Sequence, residues 1–338
     1  MLDLNNKSVL ITGGTGSLGK ALTKRIYAQF PNVKRLVIFS RDEQKQFQMA
    51  QEYPADKYKS IRFFIGDVRD KDRLNQACRG VDYIVHAAAM KQVVASEYNP
   101  FECIKTNIQG ANNLIEAAIN NKVKKVIALS TDKAVNPINL YGSTKLASDK
   151  LFVAANNMVG KDKTIFSVVR YGNVVGSRGS VLPFFLKLNE EKRGYFPITE
   201  KEMTRFWFLM KDAINFVDHS FKEMKGGEIF VPKIPSIKII DLAKAINPSF
   251  KLKYIGIRPG EKLDEIMCPK DESNKVIEFK KYFIIGPSIV IGTKKINYQR
   301  SKKKEIGKKV HKNFEYNSGT NKHFLKISEI KKTINIDE

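Results

Sequence analysis

The feature that most constrains the fold is a glycine-rich turn directly after the first apolar run of the chain. That run covers Ser8–Thr12, and Gly13, Gly16 and Gly19 follow it at the mouth of a stretch with helical character that continues to about Phe30. Glycine permits the tight turn and lets backbone N–H groups approach a pyrophosphate, whose charge the helix N-terminus favours. The turn therefore predicts a nucleotide-binding βαβ unit at the start of the chain.

Short apolar runs alternate with longer polar or amphipathic stretches through the first 175 residues. The later runs are Arg35–Phe39, Ile61–Ile65, Tyr83–His86, Val126–Leu129 and Thr164–Val169. This alternation predicts an α/β fold of Rossmann type, in which a doubly wound parallel sheet carries helices on both faces.

Beyond Asn173 glycine and proline become frequent, which predicts a smaller, irregular C-terminal substrate lobe. Its short apolar segments are Glu228–Val231 and Lys253–Ile257, and its expected helices are Met210–Met224 and Ile239–Ala245. We expect residues 1–175 to form the cofactor-binding domain and to receive residues 204–232. Residues 176–203 and 233–292 are expected to form the substrate-binding lobe, and residues 293–338 a basic C-terminal tail.

The net charge of +24 is unusual and is partly concentrated in that tail, which carries 13 Lys or Arg and 5 Asp or Glu. Aromatic residues are not interleaved with the basic ones, as they are on a surface that stacks nucleic-acid bases. We therefore interpret the charge as a lysine-rich solvated surface and expect no nucleic-acid partner.

Other patterns exclude further classes of protein. The longest apolar runs fall well short of the roughly 20 residues that span a bilayer, so no membrane span is expected. The amino terminus shows no signal-peptide pattern, and Cys78, Cys103 and Cys268 are too few and too scattered for a disulfide framework or a metal site. We expect a cytoplasmic protein without a metal ion.

The residues after the second apolar run bear on the choice of cofactor. An acidic residue there would bind the ribose 2′-hydroxyl of NAD, whereas an arginine would accept the 2′-phosphate of NADP. Here Ser40-Arg41 comes first and Asp42-Glu43 follows. The discrimination is imperfect, but Arg41 together with Lys45 favours NADP.

Tyr141 and Lys145 form a Tyr-x-x-x-Lys pair whose side chains share one face of a helix. A lysine ammonium near a phenol stabilises the phenolate and lowers a pKa that starts near 10. The tyrosine then accepts a proton from a substrate hydroxyl as hydride leaves. The pair follows the glycine loop by about 120 residues and comes just after a predicted strand that leads to Ser130, which is why it is informative.

The glycine loop, Ser130-Thr131 and the Tyr141/Lys145 pair resemble the extended short-chain dehydrogenase/reductases. Longer motifs, over nearly the whole chain to about Pro287, resemble the inverting UDP-N-acetylglucosamine 4,6-dehydratases that open pseudaminic acid synthesis for flagellin glycosylation. These motifs are Thr131-Asp132-Lys133, Asn136-Pro137, Arg170-Tyr-Gly-Asn-Val-Val-Gly-Ser-Arg178-Gly, Met203-Thr-Arg-Phe-Trp207 and Ile257-Arg-Pro-Gly-Glu-Lys262.

The resemblance implies a reaction in which C4 of the sugar is oxidised, water is lost across C5 and C6, and hydride returns to C6. Tyr141 would be the base for the C4 hydroxyl, Lys133 the C5 base and Asp132 the acid at C6. The retaining relatives have glutamate where Lys133 stands. A lysine serves as a base only if burial or neighbouring cations lower its pKa from about 10.4. We expect burial, with Lys91 and Lys145 nearby, to do this, and leave open whether Tyr141 or water reprotonates C5.

The resemblance and the motifs together define the expected site. The expected catalytic residues are Thr131, Asp132, Lys133, Tyr141 and Lys145. The expected cofactor contacts are Gly13, Thr15, Gly16, Ser17, Leu18, Gly19, Lys20, Ser40, Arg41, Asp42, Lys45, Asp67, Val68, Ala87, Ala88, Ala89, Asn107, Tyr141, Lys145, Tyr171, Asn173 and Val174. The expected contacts to UDP-N-acetylglucosamine are Lys91, Asn173, Arg178, Val181, Thr199, Arg205, Arg258 and Glu261.

The chain departs from the resemblance at Gln92, where the family commonly has histidine, so a proton role at that position is in doubt. Three alternatives stay open: a UDP-hexose 4-epimerase, a capsule-sugar dehydratase with epimerisation elsewhere on the ring, and a cofactor-binding regulator that attaches to nucleic acid through its tail. Enzymes with these motifs assemble through helices that flank the sheet, so we expect a homo-oligomer, either a dimer or a hexamer.

Overall fold

A computed structural model of the protein describes residues 2–160, 164–177, 179–289 and 296–334. Its strands are β1 (Ser8–Thr12), β2 (Arg35–Ser40), β3 (Ile61–Ile65), β4 (Tyr83–His86), β5 (Lys125–Thr131), β6 (Ile165–Tyr171), β7 (Tyr195–Ile198), β8 (Thr204–Phe206), β9 (Ile229–Pro232), β10 (Ser236–Lys238), β11 (Lys251–Tyr254), β12 (Ile266–Cys268), β13 (Val276–Glu278), β14 (Tyr282–Ile285), β15 (Lys308–Lys309) and β16 (Tyr316–Asn317).

The α-helices lie mainly between the strands of the first half of the chain. They are α1 (Ser17–Gln29), α2 (Glu43–Glu52), α3 (Lys71–Ala77), α4 (Val93–Tyr98), α5 (Pro100–Ile104), α6 (Gly110–Asn120), α7 (Leu140–Ala155), α8 (Val181–Glu190), α9 (Met210–Glu223), α10 (Ile239–Ile246) and α11 (Ile327–Ile334). A π-helical turn covers Lys105–Gln109, and 3-10 turns cover Asp132–Ala134 and Lys270–Lys275.

Within the described residues, ten strands form one sheet in the order β15-β13-β14-β9-β6-β5-β4-β1-β2-β3. The strands from β3 to β9 run parallel, and β14, β13 and β15 add an antiparallel edge. The predicted doubly wound Rossmann sheet is confirmed. The strand order reverses between β1 and β4, and ligands of such sheets bind outside the carboxyl ends of the strands at that point.

The sheet is buried on both faces because its strands are nearly continuous apolar runs. All five residues of β1 are buried, as are the four of β4. One hydrophobic cluster covers the face under α3, α6 and α7, and a second covers the face under α1, α2 and α9. This packing fixes the strand ends that carry the candidate site.

Several of the helices begin at side chains that cap their free N–H groups. Asp42 accepts a hydrogen bond from the backbone N–H of Lys45 at 2.9 Å and so begins α2. Asn139 accepts one from Gly142 at 2.7 Å and so begins α7. The second cap is important for the site because α7 carries Tyr141 in its first turn.

The C-terminal lobe has its own small core around Phe185, Phe196, Trp207 and Leu242. The helix predicted over Met210–Met224 forms over Met210–Glu223. Strand β9, which belongs to the segment 204–232 expected to join the first domain, lies in the main sheet. The strand predicted to reach Ile257 ends at Tyr254, since Gly256 takes a positive φ of 83° and turns the chain.

The last described segment is built into both parts of the fold. Lys308–Lys309 pairs with β13 at the edge of the main sheet. Helix α11 packs on α10, where Ile330 is fully buried and the Trp207 indole N–H donates to Thr333 Oγ1 at 3.0 Å. Lysines lie on the outer surface of this segment, but apolar residues between them attach it to the protein.

Candidate active site

A cavity of ≈ 1200 Å³ opens at the carboxyl ends of the parallel strands and continues between the sheet and the C-terminal lobe. Most residues expected from the sequence line it. They are Gly13, Thr15, Gly16, Ser17, Leu18, Gly19, Ser40, Arg41, Asp42, Lys45, Asp67, Val68, Ala87, Ala88, Ala89, Lys91, Thr131, Lys133, Tyr141, Lys145, Tyr171, Asn173, Val174, Val181, Thr199, Arg205, Arg258 and Glu261.

Four expected residues are not among those that line the cavity. Lys20 pairs with Glu52 at 2.6 Å on the outside of α1. Asn107 is buried and exchanges hydrogen bonds with the backbone of Met90 (2.8 and 2.9 Å), so its contact is to the protein. Asp132 is fully buried behind Lys133. Arg178 lies outside the described residues.

The glycine loop packs so closely against its neighbours that a side chain at Gly13 or Gly19 would not fit. A Cβ atom on Gly13 would lie 2.9 Å from the backbone nitrogen of Ala88, and one on Gly19 would lie 2.3 Å from the carbonyl oxygen of Gly14. Gly16 caps α1 without a side-chain hydrogen bond, so the first N–H groups of the helix are not taken by a capping side chain. The cradle has the form that the pyrophosphate of a dinucleotide requires.

Charges of both signs lie where the adenosine half of a dinucleotide would bind. The guanidinium of Arg41 is mostly exposed, and its Nη1 lies 3.7 Å from Asp67 Oδ2. Burial would raise the pKa of Asp67, but hydrogen bonds and charge from Arg69, with the charge of Arg41, hold it below its usual range. Lys45 pairs with the Asp42 carboxylate. The carboxylate of Asp67 is thus ionised and the Arg41 cation is available to a ligand.

Tyr141 and Lys145 lie one turn apart in α7 and are both buried. Gly142 lets the helix approach the 3-10 turn at Asp132–Ala134, since a Cβ there would lie 2.1 Å from the carbonyl oxygen of Lys133. The Tyr-Gly sequence therefore brings the phenol beside the Asp132-Lys133 pair. The fold thus brings together Asp132, Lys133, Tyr141 and Lys145.

The expected lowering of the Tyr141 pKa by Lys145 is wrong for this state of the site. Burial raises the pKa of Tyr141 to about 12, and the opposing influences are the charge of Lys133 and a hydrogen bond from Thr131. Burial also lowers the pKa of Lys145, which the charge of Asp149 opposes. The cation that favours phenolate here is Lys133.

Lys133 is surrounded by oxygen atoms. Its Nζ donates to Glu265 Oε1 at 2.9 Å, to Asp132 Oδ1 at 3.1 Å and to Asn173 Oδ1 at 3.4 Å. An ammonium has three N–H donors and no acceptor. The geometry is therefore that of a protonated lysine with every donor occupied.

This arrangement also corrects the expected cause of lysine basicity. Burial alone lowers the pKa of Lys133, but the carboxylates of Asp132 and Glu265 outweigh it, with Arg205 in opposition, and raise the pKa above its ordinary value. The largest charges that act on Lys133 are those of Asp132, Glu265 and Arg205, and not those of Lys91 and Lys145 as expected. Burial and the Glu265 charge raise the pKa of Asp132, which suits a carboxyl group that donates a proton.

Glu265, just before β12, was not singled out by sequence reasoning. It is 1% exposed, and 132 positions separate it from Lys133. Arg205 binds the same group of acids, with Nε 3.8 Å from Glu265 Oε1 and Nη2 3.2 Å from Glu261 Oε1. The Arg-Pro-Gly-Glu-Lys motif three residues upstream was the only available signal.

The lobe supplies the far wall of the cavity. Apolar side chains and two cations meet there, namely Pro183, Phe184, Phe185, Lys187, Pro197, Met203, Met210, Ile239 and Arg258. Gln92 lies against Gly179, and a Cβ atom on Gly179 would lie 2.7 Å from the Nε2 atom of Gln92. In the part of the chain that the structure describes, no group of acidic, histidine and cysteine side chains is arranged to hold a metal ion.

Comparisons place this geometry among known proteins. Residues 9–287 match a family described as polysaccharide biosynthesis protein. The chain is 55% identical over 335 residues (99% of it and 99% of the relative) to a UDP-N-acetylglucosamine 4,6-dehydratase (inverting) of Campylobacter jejuni subsp. jejuni serotype O:2. It is 42% identical over 328 residues (88% and 95%) to a UDP-glucose 4-epimerase of Rickettsia akari.

A solved structure shares the fold over the whole chain. The X-ray structure of Pen from Bacillus thuringiensis is similar with a TM-score of 0.87 and 37% identity, covering 100% of this chain and 99% of that chain. None of the helices in the described ranges has the length and apolar character that crossing a membrane requires.

Proposed function

This chain belongs to the polysaccharide biosynthesis protein family, and we propose that it is an inverting 4,6-dehydratase acting on UDP-N-acetylglucosamine. The observation that carries the proposal is Lys133, which lines the cavity with Tyr141 and is hydrogen-bonded to the buried Asp132. Oxidation at C4 requires one proton-transferring side chain, the tyrosine. Loss of water across C5 and C6 requires a further acid and a further base. The whole-length relative of Campylobacter jejuni bears the name of that reaction.

The first half-reaction depends on Tyr141, with Lys133 as the neighbouring cation. Gly13, Gly16 and Gly19 would hold the pyrophosphate of a nicotinamide dinucleotide, which would supply the acceptor for the C4 hydride and its source for C6. Tyr141 takes the proton of the C4 hydroxyl, and its phenolate form is favoured by the charge of Lys133 and the hydroxyl of Thr131. The 4-ketone that results acidifies the hydrogen at C5.

The second half-reaction belongs to Asp132 and Lys133. The neutral amine of Lys133 takes the C5 proton, and the protonated carboxyl of Asp132 gives its proton to the C6 hydroxyl, which leaves as water. Asp132 is suited to this because its pKa is raised by burial and by Glu265. Arg205 and Arg258, which line the cavity, are proposed to bind the diphosphate, since a guanidinium matches it with paired donors.

We propose NADP as the cofactor. Arg41 lies at the end of β2 with an exposed guanidinium, in the place where a 2′-phosphate would need a cation. Asp42, the acid that follows Arg41, accepts a hydrogen bond from the Lys45 backbone N–H at 2.9 Å and pairs with the Lys45 ammonium.

We propose further that the product enters pseudaminic acid synthesis for flagellin glycosylation, and that the protein works in the cytoplasm as a dimer or hexamer. The three cysteines support a reducing compartment, because all are free and buried. The resemblance to enzymes of that pathway is what motivates its assignment.

The masses of the products test the proposal against the epimerase alternative, which the Rickettsia akari relative supports by name. The purified protein with NADP is incubated with UDP-N-acetylglucosamine and the nucleotide sugars are weighed by mass spectrometry. A dehydratase gives a product lighter by one water. A 4-epimerase gives an isomer of unchanged mass, and that result would overturn the proposal.

A further inference from the structure

Lys133 has no lone pair to offer in the arrangement that the structure shows. Its three donors face Glu265, Asp132 and Asn173, and a base must present an unshared electron pair to the C5 hydrogen. Some neighbouring group has to take a proton from this lysine before it acts as a base. Of the two carboxylates it touches, Asp132 is needed in its protonated form as the C6 acid.

We propose that Glu265 is the positioning residue that sets the charge of Lys133, receiving its proton along the 2.9 Å hydrogen bond when the substrate is bound. This inference rests on the proposed dehydratase function. One proton leaves Nζ and binds the Glu265 carboxylate, so that an ion pair becomes a neutral pair and no proton is exchanged with water. The amine then rotates about its Cε–Nζ bond, takes the C5 proton and becomes ammonium, while Asp132 protonates the leaving hydroxyl.

Burial of Glu265 favours its protonated form, whereas the charges of Lys133 and Arg205 hold its pKa below the usual range in the arrangement shown, so the transfer requires the substrate. The residue is 1% exposed, and its Oε2 has no hydrogen-bond partner among the described residues. Its backbone is fixed, because its N–H donates to Ser318 Oγ at 2.9 Å and its carbonyl accepts from Ser318 N–H at 2.8 Å. Once a bound substrate excludes water from the cavity, a neutral pair escapes the cost of desolvating two charges.

Four charged or titratable groups act on this pair. Arg205 and Lys262 favour the carboxylate form of Glu265, and Asp132 favours the ammonium form of Lys133. The charge of Lys133 in turn favours the phenolate form of Tyr141. Arg205 Nε is 3.8 Å from Glu265. When the diphosphate of the substrate binds beside Arg205, its negative charge offsets that of the guanidinium, and the Glu265 carboxylate accepts the proton more readily. Substrate binding thereby starts the transfer.

Exchange of the C5 hydrogen with heavy water tests the inference in wild-type protein and in Glu265→Gln. An internal transfer makes the wild-type exchange rate independent of pH between about 6 and 9. In Glu265→Gln the proton of Lys133 must go to water. The exchange rate should fall about 100-fold near pH 6 and rise about tenfold per pH unit until Lys133 titrates.

Glu261→Gln is the matched control, because Glu261 pairs with Arg205 without touching Lys133. This variant should raise KM and keep a pH-independent exchange rate. Reduced nicotinamide absorbance reports C4 oxidation in each sample, and Glu265→Gln should retain it within a few-fold. If the wild-type enzyme forms no 4-keto sugar, the proposed dehydratase function is refuted. If the wild type is active and the C5 exchange rate of Glu265→Gln does not depend on pH, only the role of Glu265 is refuted.

A second readout needs neither substrate nor cofactor. Protein labelled with ¹³C at lysine Cε is titrated by NMR, and the Lys133 signal is assigned from its loss in Lys133→Met. Removing the Glu265 carboxylate removes a stabilising anion, so Lys133 should lose its proton at lower pH in Glu265→Gln than in wild type. An unchanged titration would overturn the proposal.

Discussion

Arg170 Nη2 lies 3.2 Å from Asp149 Oδ2, and both side chains are only 2% exposed. The pair joins β6 to α7 beneath the site. Asp149 also accepts the hydroxyl of Ser130 at 2.7 Å, and Arg170 donates to the carbonyl oxygen of Met267 at 3.0 Å. The strand end that precedes Thr131, the helix that carries Lys145 and the strand after Glu265 are thus held by one buried ion pair.

We predict that Arg170→Met lowers the free energy of unfolding by about 3–5 kcal/mol, because it leaves the buried Asp149 carboxylate without its hydrogen-bonded ion-pair partner. Urea unfolding followed by circular dichroism measures the change. In the control Asp149→Leu/Arg170→Met both charges are gone, and most of the stability should return. A loss below about 1 kcal/mol in the single variant would contradict the account of this pair.

The pH dependence of stability should reveal Glu228. This residue is 1% exposed, and burial raises its pKa from 4.5 to about 7. The unfolded chain therefore loses this proton first, so stability falls as pH rises from about 4.5 to 7 and then stays low. Glu228→Gln, which resembles the protonated form, should match wild type near pH 4 and exceed its unfolding free energy by up to about 3 kcal/mol near pH 8.

Urea unfolding at a series of pH values checks this prediction. Glu278→Gln serves as the control, since Glu278 is half-exposed and pairs with Lys233 at the surface. It should leave the pH profile of wild type unchanged. If Glu228→Gln follows wild type at every pH, Glu228 is ionised in the folded protein at no cost, contrary to the account.

The glycine loop gives a prediction about cofactor affinity. A Cβ at position 19 would lie 2.3 Å from the carbonyl oxygen of Gly14, so Gly19→Ala must displace the loop that faces the pyrophosphate. We expect the Kd of the dinucleotide, measured by calorimetry, to rise about tenfold or more. Gly286→Ala is the control, because its Cβ would meet nothing closer than 3.7 Å. Equal affinities in the two variants would count against a phosphate cradle at the loop.

Cofactor choice depends on Arg41. Arg41→Ala removes the cation proposed to bind a 2′-phosphate. The affinity for NADP should therefore fall about tenfold, while the affinity for NAD changes little. Titrations with both dinucleotides measure the ratio. Lys187→Ala, at the opposite end of the cavity, is the control and should not alter that ratio. A parallel loss for both cofactors would remove the argument for NADP.

The sheet could be predicted from the sequence because its inner strands are short apolar runs between polar helices. Ser8–Thr12, Ile61–Ile65 and Tyr83–His86 have the predicted bounds. The antiparallel edge could not be predicted, because β13 and β14 follow the irregular lobe in sequence and only packing returns them to β9. Equally, nothing in a lysine-rich tail indicates that Thr333 accepts a hydrogen bond from Trp207.

The site could be predicted as far as its motifs extend. Tyr141 and Lys145 are neighbours by helical spacing, and Lys133 is placed beside them by a glycine that allows close approach. The protonation of Lys133 could not be predicted, because it depends on a carboxylate from a distant strand. Sequence spacing predicts which side chains are neighbours within one helix. The protonation of a side chain in the cavity depends on which helices and strands meet there.

Proton NMR of the reaction in heavy water tests the central claim most directly. The purified protein with NADP is mixed with UDP-N-acetylglucosamine, and the sugar signals are followed. Inverting dehydration predicts a new C6 methyl group, deuterium at C5 and a coupling pattern that shows the inverted C5 centre. A clean C4 epimer with its C6 hydroxyl intact, or a sugar that remains unchanged, would contradict the account.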